Sequence, residues 1–237
     1  MKLTSLIQKI AYKCGIIIKW KNDTAFNENK FQNRSWSQEG EDILLARFFE
    51  NEKDGFYIDV GAHHPFRFSN TYKFYKLGWR GINIEPMTNC ELLFRKFRPR
   101  DKFVNCGVSS SSGFLNYYEY SETALNTFSF ERYKFLSGNE CWPIKESRIE
   151  VKTLTEILDS FPELNSLDIS FITIDVEGND FEVLKGLNLK KYLPKFILIE
   201  SNNRDYSKQV AQYLEVYNYN HVAKLYNTEI YKLILKN

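Results

Sequence analysis

The sequence predicts an α/β fold in which helices connect the strands of a mostly parallel sheet. Two observations support this. Short apolar runs such as Phe56–Val60 and Ile169–Val176 alternate with segments of helical periodicity, and strands joined through helices pair in parallel with right-handed crossovers. Several of the apolar runs also end in an acidic residue. The carboxyl ends of parallel strands share one edge of the sheet, where ligands bind.

The elements follow in a regular order before and after a distinct middle section. A helix with an acidic first turn precedes strands at 56–60, 82–85 and 102–108, which are separated by helices at 71–77 and 88–97. Gly78 and Pro99 end those two helices. Later come strands at 148–152, 169–176 and 195–200, helices at 155–161, 181–187 and 207–217, and a C-terminal β-hairpin at 221–226 and 230–235. The strand at 169–176 is almost wholly apolar and is predicted to lie centrally in the sheet.

The middle of the chain breaks this alternation. An aromatic strand at 114–120 follows the third strand after only a short turn, and residues 121–148 show little periodicity. We predict an inserted loop or lid over 121–148, since long loops in compact domains are usually functional or disordered. Its aromatic residues favour an ordered segment facing a substrate. The alternative is an insertion that merely covers the sheet edge.

Residues 1–34 form a separate N-terminal region, and residues 35–237 the main domain. Five lysines precede the first acidic residue, Asp23, and apolar residues recur between them at helical spacing. This pattern predicts a basic amphipathic helix followed by a polar linker. The helix is expected either to pack on the domain or on a second subunit of a homo-oligomer, or to lie peripherally on an anionic membrane. No apolar run here is long enough for a spanning helix or a signal peptide.

Composition excludes several classes of protein. The formal net charge is only +2 and 43% of residues are hydrophobic, which fits a globular domain with no overall field for nucleic acid. The four cysteines are widely spaced and there are three histidines, so neither a disulfide framework nor a zinc site is indicated. We therefore expect a cytoplasmic protein, or one at the inner face of the membrane, that does not bind nucleic acid.

Two of the acidic strand ends predict an adenosine site. Asp59 precedes the turn at Gly61, and Glu85 ends the next strand. Glycine allows close approach of the ligand to the backbone, and a carboxylate at the second strand end can accept both ribose hydroxyls. The turn has one glycine where a dinucleotide fingerprint has three. This points away from a pyrophosphate and toward S-adenosylmethionine.

The order and spacing of several motifs resemble the FkbM family of class I S-adenosylmethionine-dependent methyltransferases, from Ser35 to the C-terminus. The matching stretches are Ser37-Gln-Glu-Gly-Glu-Asp42, Ile58-Asp-Val-Gly-Ala62, Ile84-Glu-Pro86, Asn105 to Ser109, Ile174-Asp-Val-Glu-Gly178 and Phe181-Glu-Val-Leu-Lys-Gly186. The resemblance implies a Rossmann-like, mostly parallel seven-stranded sheet with helices on both faces. It also implies O-methyl transfer to a small molecule or to a glycan, often a sugar of a bacterial surface polysaccharide. Where many relatives have Asn-x-Gly, this chain has His63-His64-Pro65.

Residue roles follow from the motifs and from the chemistry. The residues expected to bind the cofactor are Gln38, Asp59, Gly61, His63, Glu85, Asn105 and Gly107. A sugar hydroxyl needs help to lose its proton, and the candidates for catalysis are Asp175, Glu177 and His64. Asp175 and Glu200, with Asn202 as a further ligand, also resemble the oxygen-ligand set of magnesium-dependent O-methyltransferases, so Mg²⁺ is a second expected cofactor.

Two other functions remain open on the sequence alone. One is an NAD-dependent oxidoreductase on a similar sheet, against which the missing glycines and the C-terminal hairpin argue. The other is a non-catalytic protein that keeps the cofactor pocket.

Overall fold

The computed structural model of the protein describes residues 32–201 and 203–234. The predicted N-terminal helix and Asn202 lie outside these residues. Within the described part of the chain, no helix combines the length and apolar character needed to cross a bilayer.

The main sheet has seven strands and a smaller sheet has three. In chain order the described strands are β1 (Phe56–Val60), β2 (Arg80–Ile84), β3 (Lys102–Val104), β4 (Gly107–Val108), β5 (Gly113–Glu119), β6 (Lys145–Lys152), β7 (Phe171–Ile174), β8 (Phe196–Glu200), β9 (Tyr219–Leu225) and β10 (Thr228–Leu233). The described α-helices are α1 (Glu41–Phe48), α2 (Tyr72–Lys76), α3 (Cys90–Phe97), α4 (Phe130–Gly138), α5 (Leu154–Asp159), α6 (Asp180–Lys185) and α7 (Arg204–Glu215). Two 3₁₀ turns lie at Thr123–Leu125 and Pro162–Asn165.

Strand order in the main sheet is β3-β2-β1-β7-β8-β10-β9. Five neighbouring strands of this sheet pair in parallel, in the order β3, β2, β1, β7 and β8. β10 is antiparallel to β8 and forms the C-terminal hairpin with β9. The predicted parallel sheet, hairpin and central position of β7 are confirmed. Every residue of β1 is buried, as expected for a strand with both faces covered.

Alternate residues of the strands pack into two cores, one on each face of the sheet. Ile58 and Val60 of β1 belong to the core that α5, α6 and α7 cover. Tyr57, the residue before Ile58, packs on the other face with residues of α1 and α2. The helices therefore lie on both faces of the sheet, and the carboxyl ends of the strands stay open at one edge.

Two parts of the middle section differ from the sequence-based expectation. The predicted strand at 102–108 is two strands, because the chain leaves the main sheet after β3 and β4 pairs with β6 in the small sheet. Residues 121–148, predicted as an inserted loop or lid, contain α4 and the start of β6, two regular elements that the sequence pattern does not predict there. The periodicity of α4 is hidden because Leu136 is its only buried residue. The Ser129 side chain begins this helix by accepting a hydrogen bond from the Arg132 amide.

Candidate active site

A pocket lies at the carboxyl ends of β1, β2 and β7. It brings together seven of the residues predicted from sequence, which are Gln38, Gly61, His63, Glu85, Gly107, Asp175 and Glu177. Residues of the small sheet and of the segment before α4 complete its wall. The position agrees with the ligand crevice of open parallel sheets.

The turn after β1 brings three strands together. The amides of Gly61 and Ala62 both donate to the carbonyl of Ile84, at 3.0 and 3.1 Å. Gly61 has a φ of +81°, and a Cβ there would overlap the carbonyl oxygen of Asp175. Only glycine fits this position, because it tolerates the left-handed conformation and the close approach of the β7 backbone.

Glu85 is held from two directions by backbone amides. Its Oε2 accepts from the amide of His63 at 2.8 Å, and its Oε1 accepts from the amide of Met87 at 3.0 Å. The side chain is only 3% exposed. Burial raises the pKa of Glu85 to about 7, against the opposing effect of these two bonds. Each carboxylate oxygen has two acceptor positions, so both oxygens can still accept a hydroxyl donor from a ligand.

His63 presents an imidazole that is neutral near pH 7. Its Nε2 lies 2.9 Å from the Thr123 hydroxyl, and its Nδ1 is buried with no hydrogen-bond partner among the described residues. Burial, together with the nearby charge of Arg67, lowers the pKa of His63 to about 4. His63 therefore lines the pocket as an uncharged polar group.

Three carboxyl groups meet beside the turn after β7. Asp175, Asp180 and Glu200 each offer an oxygen within 4.8 Å of the others. Asp180 shapes the turn by accepting from the amides of Val176 and Gly178, at 2.8 and 3.0 Å. Asp175 opens to the pocket, and the Oε2 of Glu200 is buried without a partner among the described residues.

Proximity of these acids makes them hard to ionise together. Burial, and then the charges of Asp175 and Asp180, raise the pKa of Glu200 to about 10. Removal from water raises the pKa of Asp175 above its usual range even though the side chain opens to the pocket, and Asp180 and Glu177 add to the effect. A cationic ligand would relieve this repulsion.

Glu177 occupies the same turn in a conformation unusual for its residue type. Its φ is +56°, its Oε2 accepts from the Arg132 guanidinium at 2.7 Å, and its carbonyl accepts from the Thr127 hydroxyl at 2.8 Å. Burial raises the pKa of Glu177 even though Arg132 opposes the shift. His63 and Phe68, also in the pocket wall, have positive φ as well. Such strain tends to gather at functional sites.

Residues 122–132, here termed the strap, lie across the pocket. On one side, Glu122 binds Arg67 through two bonds of 3.0 Å, and Thr123 contacts His63. On the other, Thr127 and Arg132 bind Glu177. The strap thus joins the segment after β1 to the turn after β7.

Four predicted site residues lie outside the pocket lining: Glu200, described above, and Asp59, His64 and Asn105. Asp59 is buried and accepts from the Thr71 hydroxyl at 2.6 Å. Asn105 donates to the carbonyls of Glu85 and Pro86, both at 2.9 Å, and so shapes the loop after β2. Both side chains therefore support the turn and the loop beside the pocket, and their roles in binding the cofactor stay predictions.

His64 is not placed to act as a base. Its Nδ1 accepts from the amides of Phe66 and Arg67, at 3.3 and 3.1 Å. Because a neutral imidazole has one acceptor nitrogen, Nε2 must carry the proton. His64 therefore stabilises the turn, and the prediction that it is catalytic is corrected.

Several lining residues were not found by sequence reasoning. They are Phe68, Met87, Tyr117, Thr123 and Asn126, whereas Phe128 is one of the aromatic residues of 121–148 that the sequence predicts to face a substrate. Met87 follows Glu85 by two residues, and that spacing alone could have indicated it. The aromatic pair Tyr117 and Phe128, with ring centroids 4.6 Å apart, comes from the small sheet and the strap, whose packing no sequence motif reveals.

Comparison with protein families settles the class of the chain. Residues 59–221 match the model of the Methyltransferase FkbM domain. The chain belongs to this family. The match runs from the end of β1 to the start of β9 and includes every predicted site residue except Gln38. No curated protein matches this chain.

Solved structures with similar backbones are also methyltransferases. They include a precorrin-6y C5,15-methyltransferase from Geobacter metallireducens, with 12% identity, a TM-score of 0.42, and coverage of 80% of this chain and 85% of that one. The 1,6-didemethyltoxoflavin-N1-methyltransferase of Burkholderia thailandensis, solved with S-adenosylhomocysteine, has 10% identity, a TM-score of 0.41, and coverage of 97% and 88%. A putative O-methyltransferase from Klebsiella pneumoniae has 11% identity, a TM-score of 0.39, and coverage of 97% and 88%. At these TM-scores the similarities carry no argument about this site.

Proposed function

We propose that this methyltransferase uses S-adenosylmethionine to methylate a hydroxyl of a sugar or glycan, in a bacterial surface polysaccharide or a related glycoconjugate. The observation that carries the cofactor assignment is the pairing of Glu85 with the Gly61 turn. Glu85 is buried at the end of β2 with acceptor capacity on both oxygens, and the Gly61 backbone is accessible beside it. A ribose with two vicinal hydroxyl donors fits this arrangement.

Charge in the pocket supports a cationic cofactor. Asp175 and Glu177 line the pocket on the β7 side, with Glu200 next to Asp175. S-adenosylmethionine carries a sulfonium and an ammonium group, and its sulfonium supplies the methyl group. In this proposal Glu85, Gly61 and His63 hold the adenosyl part, while Asp175 and Gln38 face the methionine part. The protein's main task is then to align the acceptor oxygen with the methyl carbon.

The acceptor hydroxyl must lose a proton during transfer, and two carboxylates in the pocket are available to accept that proton. Asp175 is open to the pocket, and burial raises its pKa above the usual range, which makes the carboxylate a stronger base than an ordinary aspartate. Glu177 is tied to Arg132, so it is better placed to orient the acceptor. We therefore assign the base to Asp175.

Aromatic side chains in the pocket wall support a sugar acceptor. Phe68, Tyr117 and Phe128 contribute rings to the lining, and ring faces of this kind can stack on the apolar face of a sugar. The strap brings Phe128 to the pocket, so in this proposal the segment predicted as a lid contacts the acceptor.

A divalent cation held by Asp175 and Glu200 is the alternative to a base at Asp175 for helping the acceptor lose its proton. Asp175 and Glu200 supply the carboxylate oxygens that Mg²⁺ prefers, and the buried, unpartnered Oε2 of Glu200 fits a role as ligand. Asp180 has both oxygens engaged by backbone amides. Methyl transfer that is lost on dialysis against a chelator and restored by Mg²⁺ would support this part; unchanged transfer would remove it.

Calorimetry and mass spectrometry test the cofactor and the acceptor separately. Titration with S-adenosylhomocysteine should show binding and titration with NAD none; the reverse result would replace the methyltransferase proposal by an oxidoreductase. Surface glycan from cells with and without the gene should differ by the mass of one methyl substitution. Identical glycan masses would contradict the acceptor assignment.

A further inference from the structure

A fully buried arginine lies beside the pocket without lining it. Arg98 follows α3, and its side chain is 0% exposed, as its partner Asp101 is 1% exposed. Arg98 Nε donates to Asp101 Oδ2 at 2.7 Å, and Asp101 also accepts from the Tyr57 hydroxyl and from Nδ2 of the Asn83 side chain. A buried ion pair contributes little net stability because both charges lose their hydration. A role beyond stability is therefore expected.

Of the remaining N–H groups of Arg98, one on Nη2 donates to the Tyr57 hydroxyl of β1 at 3.0 Å, and the other contacts of Nη1 and Nη2 are with one segment of the chain. Nη1 lies 3.3 Å from the carbonyl of Pro65 and 3.3 Å from the Ser69 hydroxyl, and Nη2 lies 2.9 Å from the Thr71 hydroxyl. All three partners belong to residues 61–71, here termed the β1–α2 segment. This segment also supplies His63 and Phe68 to the pocket wall. One guanidinium thus ties together three points of a segment that has no regular structure.

Thr71 extends the contact to the strand itself. A hydroxyl has one proton, and that of Thr71 is donated to Asp59 Oδ2 at 2.6 Å while its oxygen accepts from Arg98. Asp59 precedes the Gly61 turn by two residues and carries a charge close enough to affect Glu85. Arg98 therefore compensates the charge of Asp59 through Thr71. Asp59 is close to Glu85 and to the Gly61 turn, which are proposed to hold the adenosyl part.

We propose that Arg98 is a positioning residue for the cofactor: through Pro65, Ser69 and Thr71 it fixes the β1–α2 segment in the conformation that brings the His63 amide onto Glu85. This inference rests on the proposed cofactor. Arg98 itself does not touch the ligand. Its fork of donors is needed because a lysine offers a single ammonium and cannot reach three separated acceptors.

Substitutions of Thr71 test the inference without removing the buried charge. Thr71→Val keeps the shape of the side chain and loses the hydroxyl, whereas Thr71→Ser keeps the hydroxyl and loses a methyl group. We expect Thr71→Val to bind S-adenosylhomocysteine about tenfold more weakly than wild type, and Thr71→Ser to bind it within about twofold. Calorimetry well below the melting temperature of each variant gives the affinities.

A second pair of variants tests Arg98 itself. We expect Arg98→Lys to weaken binding of S-adenosylhomocysteine at least about tenfold and to speed amide hydrogen exchange in the β1–α2 segment. The matched control is Arg100→Lys, because Arg100 packs over the ring of Tyr75 at 3.9 Å and has no contact with the β1–α2 segment in the described structure. Arg100→Lys should bind as wild type does.

The outcomes separate positioning from stability alone. If Thr71→Val binds as tightly as wild type, or if the affinities of both Thr71 variants simply follow their melting temperatures, Arg98 is only a structural residue and the inference is wrong. If wild type itself does not bind S-adenosylhomocysteine, the proposed cofactor is wrong and the inference fails with it. Binding by wild type together with the loss in Thr71→Val and its rescue in Thr71→Ser supports both.

Discussion

The backbone of Gly61 lies directly against the carbonyl group of Asp175. A Cβ on Gly61 would overlap that oxygen, and the Asp175 amide donates to the Val60 carbonyl at 3.0 Å. The turn after β1, proposed to hold the adenosyl part, and the turn after β7, proposed to act on the acceptor, are therefore one packed unit. A change in either turn displaces the other, so binding and transfer are sensitive to the same substitutions.

Substitution of Gly61 tests this packing. Gly61→Ala places a methyl group where the Asp175 carbonyl lies and requires positive φ of an alanine. We expect loss of measurable S-adenosylhomocysteine binding by calorimetry and a melting temperature several degrees lower. Gly138→Ala is the control, since a Cβ there meets nothing within 4 Å and should leave both quantities near their wild-type values. Normal binding by Gly61→Ala would contradict the close contact.

Most of the fold could be predicted because its strands are short apolar runs with clear boundaries. β1 was predicted with the bounds that the structure gives, and the hairpin of β9 and β10 was predicted with its turn displaced by about a residue. The small sheet could not be predicted. Its pairing joins β4 to a strand that begins at Lys145, and residues so far apart in sequence are brought together only by tertiary packing.

The site was predictable where a residue's role depends on its place at a strand end. Gly61, Glu85, Asp175 and Glu177 meet in one pocket for that reason. Arg98 was missed because a basic residue between Phe97 and Pro99 usually marks an exposed helix end. Its burial results from contacts with Asp101, Ser69 and Thr71 that no local pattern encodes.

Glu85 should make the stability of the protein depend on pH. Burial raises the pKa of Glu85 from 4.5 to about 7, so the folded state binds this proton more tightly than the unfolded state. Its contribution to stability is therefore fully present below pH 4.5 and is lost as the pH rises to 7. Chemical unfolding from pH 4.5 to 7.5 should show that wild type loses about 3 kcal/mol more than Glu85→Gln across this window. Equal pH dependence in the two proteins would contradict the assignment.

The same carboxyl group should release a proton when the cofactor product binds. Ribose hydroxyls donate to the ionised form, so binding of S-adenosylhomocysteine at pH 6 is expected to expel the proton from Glu85. Calorimetry in buffers of different ionisation enthalpy measures the number released, which should approach one at pH 6 and fall toward zero at pH 8. Glu91→Gln is the control, because Glu91 lies on α3 outside the pocket lining and pairs with Arg95; it should release protons as wild type does.

The pair of Arg132 and Glu177 should hold the strap closed. Both side chains are partly exposed, at 25% and 20%, so Arg132→Gln should cost no more than about 1 kcal/mol of unfolding free energy. We nevertheless expect faster amide exchange in α4 and faster release of S-adenosylhomocysteine. Lys134→Gln, which breaks an exposed pair with Glu131 on the same helix, should change neither rate. Identical exchange in the two variants would show that the pair does not hold the strap.

Asp175 should be needed for transfer and costly for stability. Asp175→Asn removes the proposed base, and we expect methyl transfer from labelled S-adenosylmethionine to a surface-glycan acceptor to fall at least about 100-fold. Burial, with the charges of Asp180 and Glu177, disfavours the ionised form of Asp175, so the melting temperature of ligand-free wild type should fall below that of the variant as the pH rises through the pKa of Asp175. Asp168→Asn, an exposed acid before β7 at the opposite end of the sheet, should change neither property. A variant at position 175 that transfers methyl groups at the wild-type rate would exclude Asp175 as the base, and lower thermal stability in that variant would contradict the repulsion among these acids.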